Sequence, residues 1–227
     1  MCSAAWSFHE GGYQLAFNRD EKWARPVSIP PSLEADHPVP GICSRDAKAG
    51  GTWLFTNRHG ITLALLNAYP GDQIPHSGSK TRGDIPLLAA TATNPRSLEK
   101  ILLSQPWETY SPCHLLVLAE RHISLFTWDG KRFTADPPPE IPYLTSSSVR
   151  PSEVRAIRTA RFQEISHLPL EEILQDTHNP DPAANIQPNR PDGGTVSRTV
   201  ITVTEGKIEF SFLPMEGDEL TVLAIRF

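Results

Sequence analysis

Residues 1–21 read MCSAAWSFHEGGYQLAFNRDE. Ala4–Phe8 and Gln14–Phe17 flank Glu10-Gly11-Gly12, a pattern that predicts two strands joined by a glycine turn. The stretch also carries two chemical features. Cys2 follows Met1, and an initiator methionine is usually removed when the next side chain is small. The exposed cysteine then holds a sulfur nucleophile and its own α-amine as general base, with a reference pKa of about 7.7–8.0. Asn18-Arg19-Asp20-Glu21 directly follows the second run and sets an amide, a guanidinium and two carboxylates at one strand end. Arg19 can hold a thiolate or a carboxylate, and Asp20 an ammonium group. Taken singly, Cys2 reads as an ordinary second residue and the quartet as a solvated turn whose ion pair is worth under about 1 kcal/mol.

Outward from this hairpin, Arg25–Gly41 holds five prolines and reads as a loop. Thr52–Thr56 and Ile61–Asn67 are apolar strands linked by Asn57-Arg58-His59-Gly60. Tyr69–Gly83 reads as a polar loop, and Asp84–Ala90 as a possible helix start. Asn94-Pro95 is a clearer one, with Asn as cap and Pro at the first helical position, and Leu98, Ile101 and Leu102 supply an apolar face. His114–Ala119 and His122–Trp128 form another hairpin, and Asp129-Gly130 turns into Lys131–Thr134. A helix is predicted from Ser152 to about Ile165 and a second from Pro169. Asn179–Gly194 is a loop, and Thr199–Thr204, Lys207–Leu213 and Leu220–Arg226 are closing strands. Strands at both ends with helices between predict an α+β fold of antiparallel sheets covered by helices, in one domain over 1–227.

Composition removes whole classes of function. The net charge is −5, against the basic face of a nucleic-acid-binding domain. The longest apolar runs fall far short of the roughly 20 residues a transmembrane helix needs, and residues 1–20 lack the continuous apolar stretch of a signal peptide. Three widely spaced cysteines, Cys2, Cys43 and Cys113, make neither a disulfide framework nor a zinc pattern, so a cytoplasmic location is expected. No metal site, P-loop or dinucleotide fingerprint is present. His114 opens a strand and reads as structural. His178, just past a helix, reads as a dipole partner before a haem ligand or catalytic helper. Arg82-Gly83-Asp84 reads as a chance tripeptide.

Several motifs occur in order: Met1-Cys2, Asn18-Arg19-Asp20-Glu21, Arg25-Pro26, Ser44-Arg45-Asp46, Ala49-Gly50-Gly51-Thr52-Trp53-Leu54, Asn57 with Gly60, Asn67, and Thr81-Arg82-Gly83-Asp84. Together they resemble the NRDE family. That family is in turn similar to the N-terminal-nucleophile hydrolases, including bile-salt hydrolases and penicillin V acylases. The resemblance implies a four-layer αββα sandwich with Cys2 as nucleophile, Arg19 and Asp20 beside it, Asn67 in an oxyanion hole and Arg198 polarising the site. It implies Asn18, Glu21, Asn57 and Ser146 as ligand-binding residues. Two departures stand out. Arg19 and Asp20 are adjacent, where those hydrolases separate the pair by two residues, and adjacent strand residues face opposite ways. In Tyr143-Leu144-Thr145-Ser146, a serine replaces the hydrolases' asparagine, and losing an oxyanion donor costs about 10²–10³ in rate.

Three functions follow as expectations. The first is a cysteine-nucleophile hydrolase of amides or thioesters, with a small-molecule acyl substrate and no required cofactor. The second is a non-catalytic carrier of haem or acyl-CoA, since the resemblance implies haem trafficking and lipid handling; Arg19 would then pair a propionate or phosphate. The third is an interaction protein with a fossil site.

Overall fold

In the computed structural model, which describes residues 2–70, 78–217 and 219–226, the opening segment is a hairpin of β1 (Cys2–His9) and β2 (Gly12–Lys22). Gly11 at its tip has φ +76°, a conformation that penalises a Cβ. A Cβ on Gly12 would lie 1.8 Å from the Val203 carbonyl oxygen, so the neighbouring strand itself demands glycine there. Strand β2 continues through Lys22, and Asn18-Arg19-Asp20-Glu21 therefore lies inside a strand, where alternation decides what each residue faces.

The chain continues with β3 (Ile29–Glu34), β4 (Gly41–Arg45), β5 (Leu54–Asn57), β6 (Thr62–Asn67), α1 (Pro95–Leu103), β7 (Cys113–Ala119), β8 (His122–Trp128), β9 (Phe133–Asp136) and β10 (Tyr143–Ser146). Then come α2 (Pro151–Ile165), α3 (Leu170–Ile173), β11 (Asn189–Arg190), β12 (Gly193–Thr204), β13 (Lys207–Pro214) and β14 (Thr221–Arg226). One sheet is a meander of β3 to β9 in sequence order. The other has the order β10-β1-β2-β12-β13-β14, with β11 paired to β12. All these strand pairs are antiparallel.

Alternation along the strands builds three apolar layers. Ala4, Trp6, Tyr13, Leu15 and Phe17 point between the sheets, onto Trp53, Leu54, Leu66 and Leu116. Ala5 and Ala16 point the other way, under Phe162 of α2 and Ile173 of α3. On the far side of the meander, Phe55, Leu63 and Leu115 pack beneath Leu98 and Leu102 of α1. Each large side chain buried this way contributes about 1.5–3 kcal/mol. The result is the expected helix-sheet-sheet-helix arrangement.

Local expectations need correcting in three places. The segment 25–41, read as a loop, contains β3. Pro30 and Pro31 are tolerated because β3 is an edge strand with a register shift between Ile29 and Ser32. The segment 84–90 is 3-10 turn, Arg82–Asp84 and Pro86–Thr91. The loop read at 179–194 includes β11 and the start of β12. The helix read from Pro169 forms as α3, with Pro169 at its N-cap. Of the loop read at 69–83, residues 71–77 lie outside the described residues, and its last two residues enter the 3-10 turn Arg82–Asp84. Among the described residues, no helix is long and apolar enough to cross a membrane.

Candidate active site

Cys2 opens β1 between β10 and β2, its register partners being Ser146 on one side and Arg19 on the other. Its backbone N–H donates to Ser146 Oγ at 3.2 Å. The thiol is buried and lines a cavity of about 140 Å³ with Arg19, Asp20, Glu21 and Asn67. Burial pushes the thiol above its usual pKa range, more than the charge of Arg19 and the Asp20 backbone N–H pull it down. A thiol so placed stays protonated at neutral pH and needs a base before it can attack.

Arg19 faces the gap between the sheets. Its guanidinium stacks on Trp53, 4.5 Å from the ring centroid, and donates to Ser28 Oγ at 3.2 Å and to Asp46 Oδ2 at 2.5 Å. Arg25 grips the same carboxylate with two bonds, Nε to Oδ2 at 2.7 Å and Nη2 to Oδ1 at 2.9 Å. Glu21, on the Arg19 face, lies 3.5 Å from Arg25 and 3.9 Å from Arg19. The backbone N–H groups of Lys48 and Ala49 close on Asp46 Oδ1. Burial alone would raise the Asp46 carboxyl, but the bonds from Arg25 and Ala49 outweigh it and hold it below the usual range.

Asp20 points to the opposite face. Its Oδ1 accepts from Thr195 Oγ1 at 2.8 Å, and its Oδ2 lies 3.7 Å from Arg158 Nη1 on α2, with both side chains fully buried. Arg158 also donates to Thr145 Oγ1 at 3.0 Å and to the Ala183 carbonyl at 2.9 Å. Burial pushes the Asp20 carboxyl up, and Arg158 opposes it. Opposite this step, β12 shifts register between Thr195 and Ser197. Such a bulge re-aims side chains, and Asp20 lines the Cys2 cavity even though it alternates with Arg19.

The remaining candidates divide. Asn67 lines the cavity, its Nδ2 donating at 3.4 Å to Tyr69 Oη, and Ser146 touches the Cys2 nitrogen. Asn18, Asn57 and Arg198 are not brought to the cavity. Asn18 shares Asp20's face and donates to the Leu174 and Ile186 carbonyls, tying down the helical layer. Asn57 is fully buried and satisfied by four bonds, to the Ala89 and Ala92 carbonyls and from the His59 and Ile61 N–H groups. Arg198 pairs in register with Asn18 on the outer face and donates to Gln187 Oε1. Asp46, Arg25 and Trp53 were visible in sequence as motif members without a role. Arg158 and Thr195 carried no signal at all.

Ser146 lines a second cavity, where burial, aided by the charge of Arg155, pushes His114 down to about 4. The folded-state value lies below the unfolded value of about 6.5, so stability is complete above pH 6.5 and drains away as pH falls towards 4. Between pH 6.5 and 4.5 the loss from this group is expected at about 2–3 kcal/mol. Urea midpoints at the two pH values check it, and His114→Gln should flatten the difference.

Several comparisons bear on this arrangement. A family model described as Transport and Golgi organisation 2 matches residues 1–151. A search of curated proteins gives no match. Two solved variants of the conjugated bile acid hydrolase from Clostridium perfringens, the C2A mutant and one with an arginine replaced by leucine, superpose at TM-score 0.60. Each is 10% identical over 98% of this chain and 92% of the other. An N-acylethanolamine-hydrolyzing acid amidase ortholog from Caenorhabditis elegans superposes at TM-score 0.46, 12% identical over 88% of this chain and 91% of its own. At such identities the bile acid hydrolase match shows the shared fold.

Proposed function

The chain belongs to the Transport and Golgi organisation 2 family and has an N-terminal-nucleophile hydrolase-like fold, and from that premise we propose that it is a cysteine-nucleophile hydrolase of an amide or thioester bond. The observation that carries this reading is Cys2 at the first strand position, facing a cavity shared with Arg19, Asp20 and Asn67.

In this reading Met1, which lies outside the described residues, is removed. The freed α-amine of Cys2 takes the thiol proton as Sγ attacks the acyl carbon, forming the C–S bond. The negative charge that develops on the carbonyl oxygen is met by the Asn67 amide. Asp20, anchored by Arg158 and Thr195, holds the resulting ammonium. The ammonium then returns its proton to the departing amine or thiolate as that bond breaks. Water, deprotonated by the same amine, attacks the acyl-enzyme, releases the acid and restores the thiol. The raised thiol pKa supports the need for this base.

An apolar cavity of about 300 Å³, lined by Trp23, Pro26, Val27, Phe212 and Met215, meets the Cys2 cavity at Arg25. It suits the hydrocarbon part of an acyl substrate. The same feature favours the second reading, a carrier of acyl-CoA or haem with no chemistry at Cys2. A cytoplasmic setting belongs to both readings and is supported by three unpaired cysteines.

Intact mass spectrometry of the natively expressed chain, before and after a thiol-reactive acylating probe at pH 7, separates them. Hydrolysis requires loss of Met1, with one adduct that vanishes in Cys2→Ala and forms at least about 10²-fold faster than on a chain retaining Met1. A retained Met1, or equal labelling of the two forms, overturns the hydrolase and leaves the carrier.

A further inference from the structure

Ser146, whose Oγ accepts from the Cys2 N–H, lines a second cavity of about 180 Å³ together with His114, Thr127, Asp129 and Arg155. The hydrogen bonds in this second cavity fix a tautomer. Thr127 Oγ1 donates to Asp136 Oδ2 at 2.5 Å, and Asp136 Oδ1 accepts from Thr134 Oγ1 at 2.9 Å. His114 Nδ1 lies 2.9 Å from the same Thr127 oxygen. A hydroxyl has one proton and an ionised carboxylate has none to give. The Thr127 proton is committed to Asp136, so Thr127 Oγ1 must accept from His114, and the imidazole proton sits on Nδ1. The neutral ring then presents a lone pair at Nε2, which has no hydrogen-bond partner among the described residues.

The neighbouring cation is also unclaimed. Arg155 projects from α2 into this cavity and pairs with no carboxylate among the described residues. Burial together with the Arg155 charge disfavours protonation of His114, which keeps the acceptor at Nε2 available at neutral pH.

We propose that this cavity is a binding site for a small organic anion that also carries an N–H or O–H donor, with Arg155 pairing the anionic group and His114 Nε2 accepting from the donor. Thr127 and Asp136 act as positioning residues that hold the ring in the accepting tautomer. Ser146 Oγ accepts from the Cys2 N–H at 3.2 Å, so this cavity adjoins the strand position that carries the thiol. If the hydrolase reading holds, this is the compartment for the group released from the acyl carbon. The binding claim stands without that reading.

The test uses the full chain labelled with ¹⁵N-histidine, with N-acetylglycine as the simplest probe bearing a carboxylate and an N–H. Long-range ¹H–¹⁵N spectra should show the His114 proton on Nδ1 before any probe is added. N-acetylglycine should then bind saturably at millimolar concentration and move the His114 Nε2 signal upfield. The uncharged N-acetylglycinamide should bind at least about tenfold more weakly, and Arg155→Gln should weaken the acid by a similar factor while leaving the amide unchanged. Arg155 is exposed on a helix, so its replacement spares the fold. A proton on Nε2, no saturation, equal affinity for acid and amide, or an unmoved Nε2 signal overturns the proposal. Repeating the titration on Cys2→Ala separates it from the hydrolase reading, because binding should persist there whether or not Cys2 reacts.

Discussion

Replacing Asp20 by alanine is expected to lower stability by about 3–5 kcal/mol, the range found when one partner of a buried ion pair is deleted. Arg158 is fully buried, its Nη1 lies 3.7 Å from Asp20 Oδ2, and neither side chain is exposed to solvent. Its Nε already has no partner among the described residues, so the guanidinium has little polar surplus with which to absorb the loss. The double variant Asp20→Ala, Arg158→Met should recover more than half of the deficit, because a well-packed apolar side chain replaces an orphaned charge. Urea denaturation of the wild type, both single variants and the double variant at pH 7 gives the coupling energy directly. A loss under about 1 kcal/mol for Asp20→Ala would mean that Arg158 is held by Ser3, Thr145 and Ala183 and does not act through Asp20.

Removing the carboxylate of Asp46 should cost nearly as much, about 3–4 kcal/mol for Asp46→Ala. The side chain holds two arginines and the turn that follows it, through Lys48 and Ala49. Asp46→Asn keeps the size and loses the charge, and should fall between. The pH dependence has a definite sign. The folded-state value is depressed below the ordinary 3.8, so the stabilisation is complete above about pH 4 and is lost only as pH falls through the folded value. The variant and the wild type should therefore differ by the same amount at pH 5 and pH 7 and converge in stronger acid. Because Arg19 would be left with Ser28, the Trp53 ring and the more distant Glu21 carboxylate, Cys2 labelling should change together with stability. An Asp46→Ala chain as stable as the wild type would show that Arg19 and Arg25 repack freely.

The parts of this structure that a sequence reader can see are those whose cause is local. Asn94-Pro95 carries its own cap, and the structure forms the full reciprocal box with Ser97. The 113–128 hairpin opens on a short apolar run, Leu115–Ala119, bounded by a turn, and both its strands fall within a residue of expectation. Strand β3 was hidden because prolines are penalised in central strands and tolerated on edges, and edge position is a property of the whole sheet. Strand β10 was hidden because its four residues, directly after Pro142, are too few to show a period. The site divides in the same way. Cys2, Arg19 and Asp20 are marked by their motif. Which faces each takes depends on how far β2 runs, and Arg158, Thr195 and Arg155 come from elements 130 or more residues away that nothing local ties to the hairpin. His114 read as a structural residue because its Thr127 and Asp136 partners sit on two other strands.

The order of strands also sets a timetable. The meander β3 to β9 closes within residues 29–136, each strand beside the one just made. The sheet that carries Cys2 cannot do this, because β1 waits for β10 and β2 waits for β12, which ends at Thr204. At translation rates of about 5–20 residues per second, roughly 10–40 s pass between emergence of β2 and completion of β12. A lone two-stranded hairpin is marginal in water. During that interval the cysteine-bearing strand is uncovered on the ribosome, so any enzyme that trims the start of the chain meets an open substrate, and once β10 and β12 dock the same bond lies beside a closed sheet.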